Sequence, residues 1–206
     1  NTNKQITESK YFIITLGTAW VYRHIESDKI VANCHKVPQK KFTKELLSVD
    51  EIQESLEATI SLIQSVNRNA NFIFTVSPIR HIKDGFIENQ RSKSHLITAI
   101  HQIVEPRKNR FYFPSYEIMM DELRDYRFYA EDMIHPSSLA IDFIWERFKM
   151  VWIDENAIST MDEVEIVQKG LAHRPFNPNS EAHQKFLQKL EVRKQLLKSE
   201  FSHIDF

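Results

Sequence analysis

The stretch "NFIFTVSP" (residues 71–78) gathers aromatic and β-branched side chains into a short run and stops it at Ser77–Pro78. A brief apolar run without polar alternation is expected of a strand buried on both faces. Upstream, "YFIITL" (11–16) has the same character and is stopped by Gly17. Downstream, "RFYFPSY" (110–116) supplies a third short strand ending at Pro114. Between the first two runs lies "VDEIQESLEATISLIQSV" (49–66), where Ile52, Leu56, Ile60 and Ile63 recur at helical steps. Ser48 and Glu51 ahead of it fit a capping box, each side chain satisfying a free backbone N–H. Between the second and third runs, "ENQRSKSHLITAIHQIV" (88–104) puts Leu96, Ile100 and Ile103 on one helical face. A short helix is expected in "YEIMMDELRD" (116–125) and an apolar-rich one in "SSLAIDFIWERFKMVW" (137–152).

Strand, helix, strand, helix, strand, helix implies parallel strands joined by right-handed crossovers, an α/β layered fold. Ligands in such sheets sit beyond the C-terminal strand ends. The loops there are "GTAW" (17–20) and "SPIRH" (77–81), joined by "DMIHP" (132–136) after the last short helix. "VYRHIESDKIVANCHKV" (21–37) reads as a hairpin turning at Glu26–Lys29. From residue 154 the character changes. "STMDEVEIVQKGLAHRPFNP" (159–178) gives a helix ended by Gly170 and a Pro-containing loop. "SEAHQKFLQKLEVRKQLLKSEF" (180–201) is a long charged amphipathic helix carrying Phe186, Leu190, Leu197 and Phe201. The expected organisation is an α/β domain over 1–153 and a helical appendage over 154–206.

With 206 residues, 42% hydrophobic and 27% charged, the chain can bury a sizeable core and does not read as disordered. A net charge of −1 provides no global field toward nucleic acid, and no apolar run approaches the length of a membrane span. The single cysteine, Cys34, excludes an intrachain disulfide framework and favours a reducing, cytoplasmic compartment. Three glycines, at 17, 85 and 170, are too few and too scattered for a Gly-rich phosphate loop. The nine histidines lack metal-ligand spacing, so neither a metal nor another cofactor is expected. The opening "NTNKQITESK" has no methionine and runs almost at once into a strand, which reads as an internal boundary.

Asp132 and His135 stand three apart before Pro136 and an apolar helix. In one reading the imidazole is a general base and the carboxylate fixes its tautomer. In the other, Asp132 caps a turn and His135 merely begins a helix. Location on the C-terminal side of the sheet favours the first. Gly17, followed by Thr18, could turn backbone N–H groups toward a ligand, or simply permit a strand-end turn. Ser77, Arg80 and His81 lie at the next strand end; Ser77 reads better as a loop starter than as a nucleophile, and Arg80 as a carboxylate or substrate contact. Cys34 and His35 are adjacent on one strand, so their side chains diverge and form no nucleophilic pair.

The ordered segments "ITLGTAWVYRH", "VANCHKVP", "FTVSPIRHIKDGFIENQRSKSHL", "FPSYEIMMDELRDYRFYAEDMIHPS" and "AHRPFNP" resemble the GSCFA-domain family within the SGNH/GDSL hydrolase superfamily. The resemblance runs from about residue 11 to 190. It implies a flavodoxin-like three-layer α/β/α sandwich with a parallel sheet, incomplete at the N-terminus, plus a C-terminal helical extension. It also implies Ser-dependent hydrolysis or transfer of an acyl ester, on a small molecule or a carbohydrate. Asp132 and His135 match the Asp-x-x-His block that supplies acid and base. The Gly-Ser-Cys-Phe-Ala stretch holding the superfamily nucleophile is not in this sequence, which places that serine upstream. "GTAW" carries Trp20 where the superfamily usually has an oxyanion-hole Asn, leaving Asn33 as the substitute amide. Loss of the first strands would expose a sheet edge, so poor stability or self-association, through that edge or the C-terminal helix, is expected.

Overall fold

A computed structural model describes residues 2–31, 34 and 36–206. The chain divides into two compact units, Asn1–Trp145 and Glu146–Phe206. The first unit opens with helix α1 (Thr2–Glu8) and strand β1 (Tyr11–Leu16). Three strands follow: β2 (Trp20–His24), β3 (Lys29–Val31) and β4 (Phe42–Leu46). Helix α2 (Val49–Val66), strand β5 (Asn71–Val76), helix α3 (Phe86–Ile103) and strand β6 (Arg110–Tyr112) then alternate. The short helix α4 (Ser115–Glu117) leads into wide π-type turns over Ile118–Leu123. The division between the units falls within α5 (Ser138–Trp152).

The three apolar runs form one parallel sheet in the order β1-β5-β6, with Tyr11 facing Asn71 and Phe72 facing Arg110. The architecture is mixed α/β, consistent with an α/β sandwich followed by C-terminal helices. Helix α2 begins as its sequence dictates. Ser48 Oγ accepts the Glu51 N–H at 3.2 Å, and Glu51 Oε2 accepts the Ser48 N–H at 2.8 Å. Its apolar stripe, Ile52, Leu56 and Ile60, meets Leu96, Ala99, Ile100 and Ile103 of α3 over Phe72, Phe74 and Val76 of β5. Both crossover helices therefore contribute to one core on the same face of the sheet. Each Ile, Leu, Val or Phe among these, fully buried, contributes roughly 1.5–3 kcal/mol relative to exposure. On the other face of β5, Thr75 Oγ1 lies 2.7 Å from Ser115 Oγ, which also bonds the Val76 carbonyl.

Strand β1 is different. Phe12, Ile14 and Leu16 pack into the core, whereas Tyr11 and Ile13 are 57% and 56% exposed. Among the described residues β1 pairs on one side only. The hairpin expected after Gly17 forms as β2 and β3, with Asp28 at φ 52° in its turn. The sequence reading missed β4, which pairs antiparallel with β2 from Trp20–Leu46 to His24–Phe42. Its partner β2 lies across the intervening β3 and a Pro38-containing connection, so no local signal pairs the two.

In the second unit, α6 (Glu155–Ala172) and α7 (Glu181–Glu200) are capped by the side chains of Asp154 and Ser180. Val167, Leu190 and Leu197 are buried between them. Gly170 does not end a helix as the sequence suggested; α6 continues to Ala172. A Cβ at Gly170 would lie 2.6 Å from Leu190 Cδ1. The glycine is a packing residue whose absent side chain makes room for Leu190.

Candidate active site

The C-terminal ends of β1 and β5 bring Gly17–Thr18 and Ser77–His81 to one rim of the sheet, as parallel pairing of the two strands requires. The chain segment 129–137 folds against the same rim. It is closed by backbone bonds from Ala130 N–H to the His135 carbonyl (2.7 Å) and from Ser137 N–H to the Phe128 carbonyl (2.8 Å). Inside this loop Met133 adopts a left-handed φ of 58°, a conformation β-carbon-bearing residues rarely take. The turn folds the His135 ring back over Asp132. Asp132 Oδ2 lies 2.6 Å from His135 Nδ1, and Oδ1 accepts the N–H groups of Ile134 (2.9 Å) and His135 (3.0 Å). The backbone N–H of His135, its ring and the Ile134 N–H hold the Asp132 carboxyl down to about 2. An ionised carboxylate on Nδ1 fixes the tautomer and orients Nε2 outward, as a general base needs.

Arg80 fastens this loop to the end of β5. Its backbone N–H donates to the Ile134 carbonyl (3.2 Å), and Nη1 donates to the Met133 carbonyl (3.2 Å). Its guanidinium lies 3.9 Å from the Tyr129 ring centroid and 5.6 Å from that of Tyr126, within cation–π range of both. In this arrangement Arg80 contacts protein, namely the carbonyls and rings of the dyad loop.

His81 stands beside Gly17: a Cβ at residue 17 would come within 3.1 Å of His81 Nε2. Its backbone N–H donates to Asn89 Oδ1 at 2.7 Å. Burial, then the charge of nearby Lys93 and the neighbouring His135, push the His81 imidazole toward its neutral form. Ser77 is buried, with its hydroxyl accepting the Ile79 N–H (3.3 Å) and its N–H donating to the Leu16 carbonyl (2.9 Å). The Thr18 hydroxyl is 3.0 Å from Ser92 Oγ and accepts the Trp20 N–H at 3.1 Å. Asn33 lies outside the described residues.

Sequence reading missed the other half of the site, contributed by α3. Asn89, Ser92 and Lys93 are 6%, 1% and 0% exposed. Lys93 Nζ donates to the carbonyls of Gly17 (2.7 Å) and Ser77 (2.6 Å) and sits 5.6 Å from the Tyr116 ring. Burial lowers its pKa to about 8. One signal was present: Asn89, Ser92 and Lys93 continue the Leu96–Ile100–Ile103 stripe toward the helix N-terminus, so polar residues occupy a core-facing row.

The family model described as "GSCFA family" matches residues 1–148. The chain belongs to the GSCFA family. The model described as "GSCFA domain protein, C-terminal domain" matches residues 164–206. No curated protein and no solved structure matches this GSCFA chain. Among its described residues, no group of three or more His, Cys, Asp or Glu side chains is arranged to hold a metal ion. Among the described residues of this GSCFA chain, no helix is long and apolar enough to cross a membrane.

Proposed function

We propose that this GSCFA protein is an SGNH-type, serine-dependent acyl-ester hydrolase or acyltransferase. His135 is the general base, Asp132 orients it, and the nucleophilic serine comes from sequence preceding residue 1. The observation that carries this reading is the 2.6 Å contact of the Asp132 carboxylate with His135 Nδ1, held by two further backbone donors. His135 Nε2 takes the serine proton as the oxygen attacks the ester carbonyl carbon. The tetrahedral intermediate collapses with that proton delivered to the departing alcohol. Water, or an acceptor alcohol in the transferase case, then attacks the acyl-serine by the same proton route. The substrate class is an acyl ester of a small molecule or carbohydrate, and the compartment is cytoplasmic.

Hydrolysis of a chromogenic acetyl ester by the protein, including the sequence that precedes residue 1, tests this assignment. Loss of at least about 10³-fold in kcat on His135→Ala is expected. Equal rates for the two proteins would sink it.

A second reading is a binding or scaffold module that keeps the fold without turnover. It is favoured by Trp20, whose indole Nε1 donates to the Glu88 carbonyl of α3 at 3.3 Å and presents no amide to a substrate. Failure of the same polypeptide to label with a fluorophosphonate serine probe would favour this reading over the enzyme.

A further inference from the structure

The loop leaving β1 is fixed at almost every polar atom. Lys93 holds the Gly17 carbonyl (2.7 Å), and Ser92 Oγ accepts the Ala19 N–H (2.7 Å). The Thr18 hydroxyl is taken by Ser92 and the Trp20 N–H, and the Ala19 carbonyl by the Leu47 N–H. Backbone donors need partners, so each remaining one can be accounted for. As with the Gly17 N–H, the N–H of the half-buried Thr18 has no protein acceptor among the described residues. Its direction follows from the planar trans peptide: the Gly17 carbonyl points at Lys93, so the Thr18 N–H on the same peptide points the opposite way. That leaves the donor directed away from the buried lysine, at the strand end where the His81 ring flanks Gly17.

We propose that the Thr18 amide is an oxyanion donor of this site, and that Lys93 and Ser92 are the positioning residues that hold it in place. The proposal rests on the hydrolase reading above and supplies what Trp20 does not, a donor at the end of β1. A backbone N–H held rigid before the reaction costs no reorganisation when charge develops on the carbonyl oxygen. Lys93 serves by geometry and also by charge. It is a buried cation beneath the strand ends, bonded to two carbonyls and facing the Tyr116 ring, and it favours an anion above them.

Two measurements test it. In ester hydrolysis, Ser92→Ala and Lys93→Met should each lower kcat by about 10²-fold, with KM changed far less, because the donor acts on the transition state. Activity lost in His135→Ala but retained within about twofold in both α3 variants overturns this inference alone. Activity retained in His135→Ala overturns the hydrolase reading and this inference with it. The second measurement needs no turnover and no variant. Titration of the wild-type protein with methylphosphonate, a tetrahedral anion, should move the Thr18 amide proton downfield in NMR spectra. An unmoved Thr18 amide under saturating anion overturns the assignment even if the α3 variants fail to fold.

Discussion

Asp132 accepts three hydrogen bonds from a loop that bends through a left-handed Met133, and this decides its chemistry more than spacing does. A carboxylate so solvated by donors stays ionised well into acid. Its folded pKa lies below the unfolded value, so its contribution to stability is present above about pH 4 and is lost as pH falls toward about 2. Acid unfolding of the wild type should therefore carry a component in that window which Asp132→Asn lacks, as read by circular dichroism against pH. The same variant should reduce ester hydrolysis by about 10⁴-fold, because a neutral amide no longer selects the Nδ1–H tautomer. Full activity in Asp132→Asn would show that the pair is only helix punctuation.

At the scale of elements, packing of α6 on α7 turns on Gly170. Alanine there would gain about 1 kcal/mol in helix propensity. Against this, its Cβ would meet two methyl carbons of Leu190, a side chain only 5% exposed and so unable to swing clear. Overpacking of this kind costs about 1–3 kcal/mol, so the net effect of Gly170→Ala is destabilising. Thermal unfolding should show a lower midpoint, partly restored in the Gly170→Ala/Leu190→Ala double variant. A midpoint raised by Gly170→Ala alone would mean that propensity outweighs the contact. The helix α2 start shows the opposite case, an element whose boundary is written locally in Ser48 and Glu51.

For the molecule as a whole, β1 is the feature with consequences for behaviour in solution. Among the described residues it presents an edge paired on one side and a face with Tyr11 and Ile13 more than half exposed. An apolar edge of this kind is a template for another strand. This 206-residue chain is expected to self-associate reversibly, with a sedimentation coefficient that rises with concentration. Ile13→Lys should suppress the effect, since a charge on an edge strand opposes pairing. A concentration-independent monomer would remove the expectation.

The sequence by itself determined the parallel sheet and its two crossover helices, and marked Asp132 and His135 as a candidate pair, because these rest on local signals. Apolar runs, 3.6-residue periodicity, a capping box and a short-range turn are all readable within twenty residues. The hairpin after Gly17 was legible for the same reason. Only the tertiary structure decided that β4 joins β2, that Gly170 packs rather than terminates, and that Arg80 binds the dyad loop. It also revealed Asn89, Ser92 and Lys93 as the inner wall of the site. Each of these depends on a partner far away in the chain: Leu46 against Trp20, Leu190 against Gly170, and Gly17 against Lys93. A lysine within a helix reads as solvated until the fold closes over it. Then its burial beside two strand-end carbonyls becomes the fact that matters.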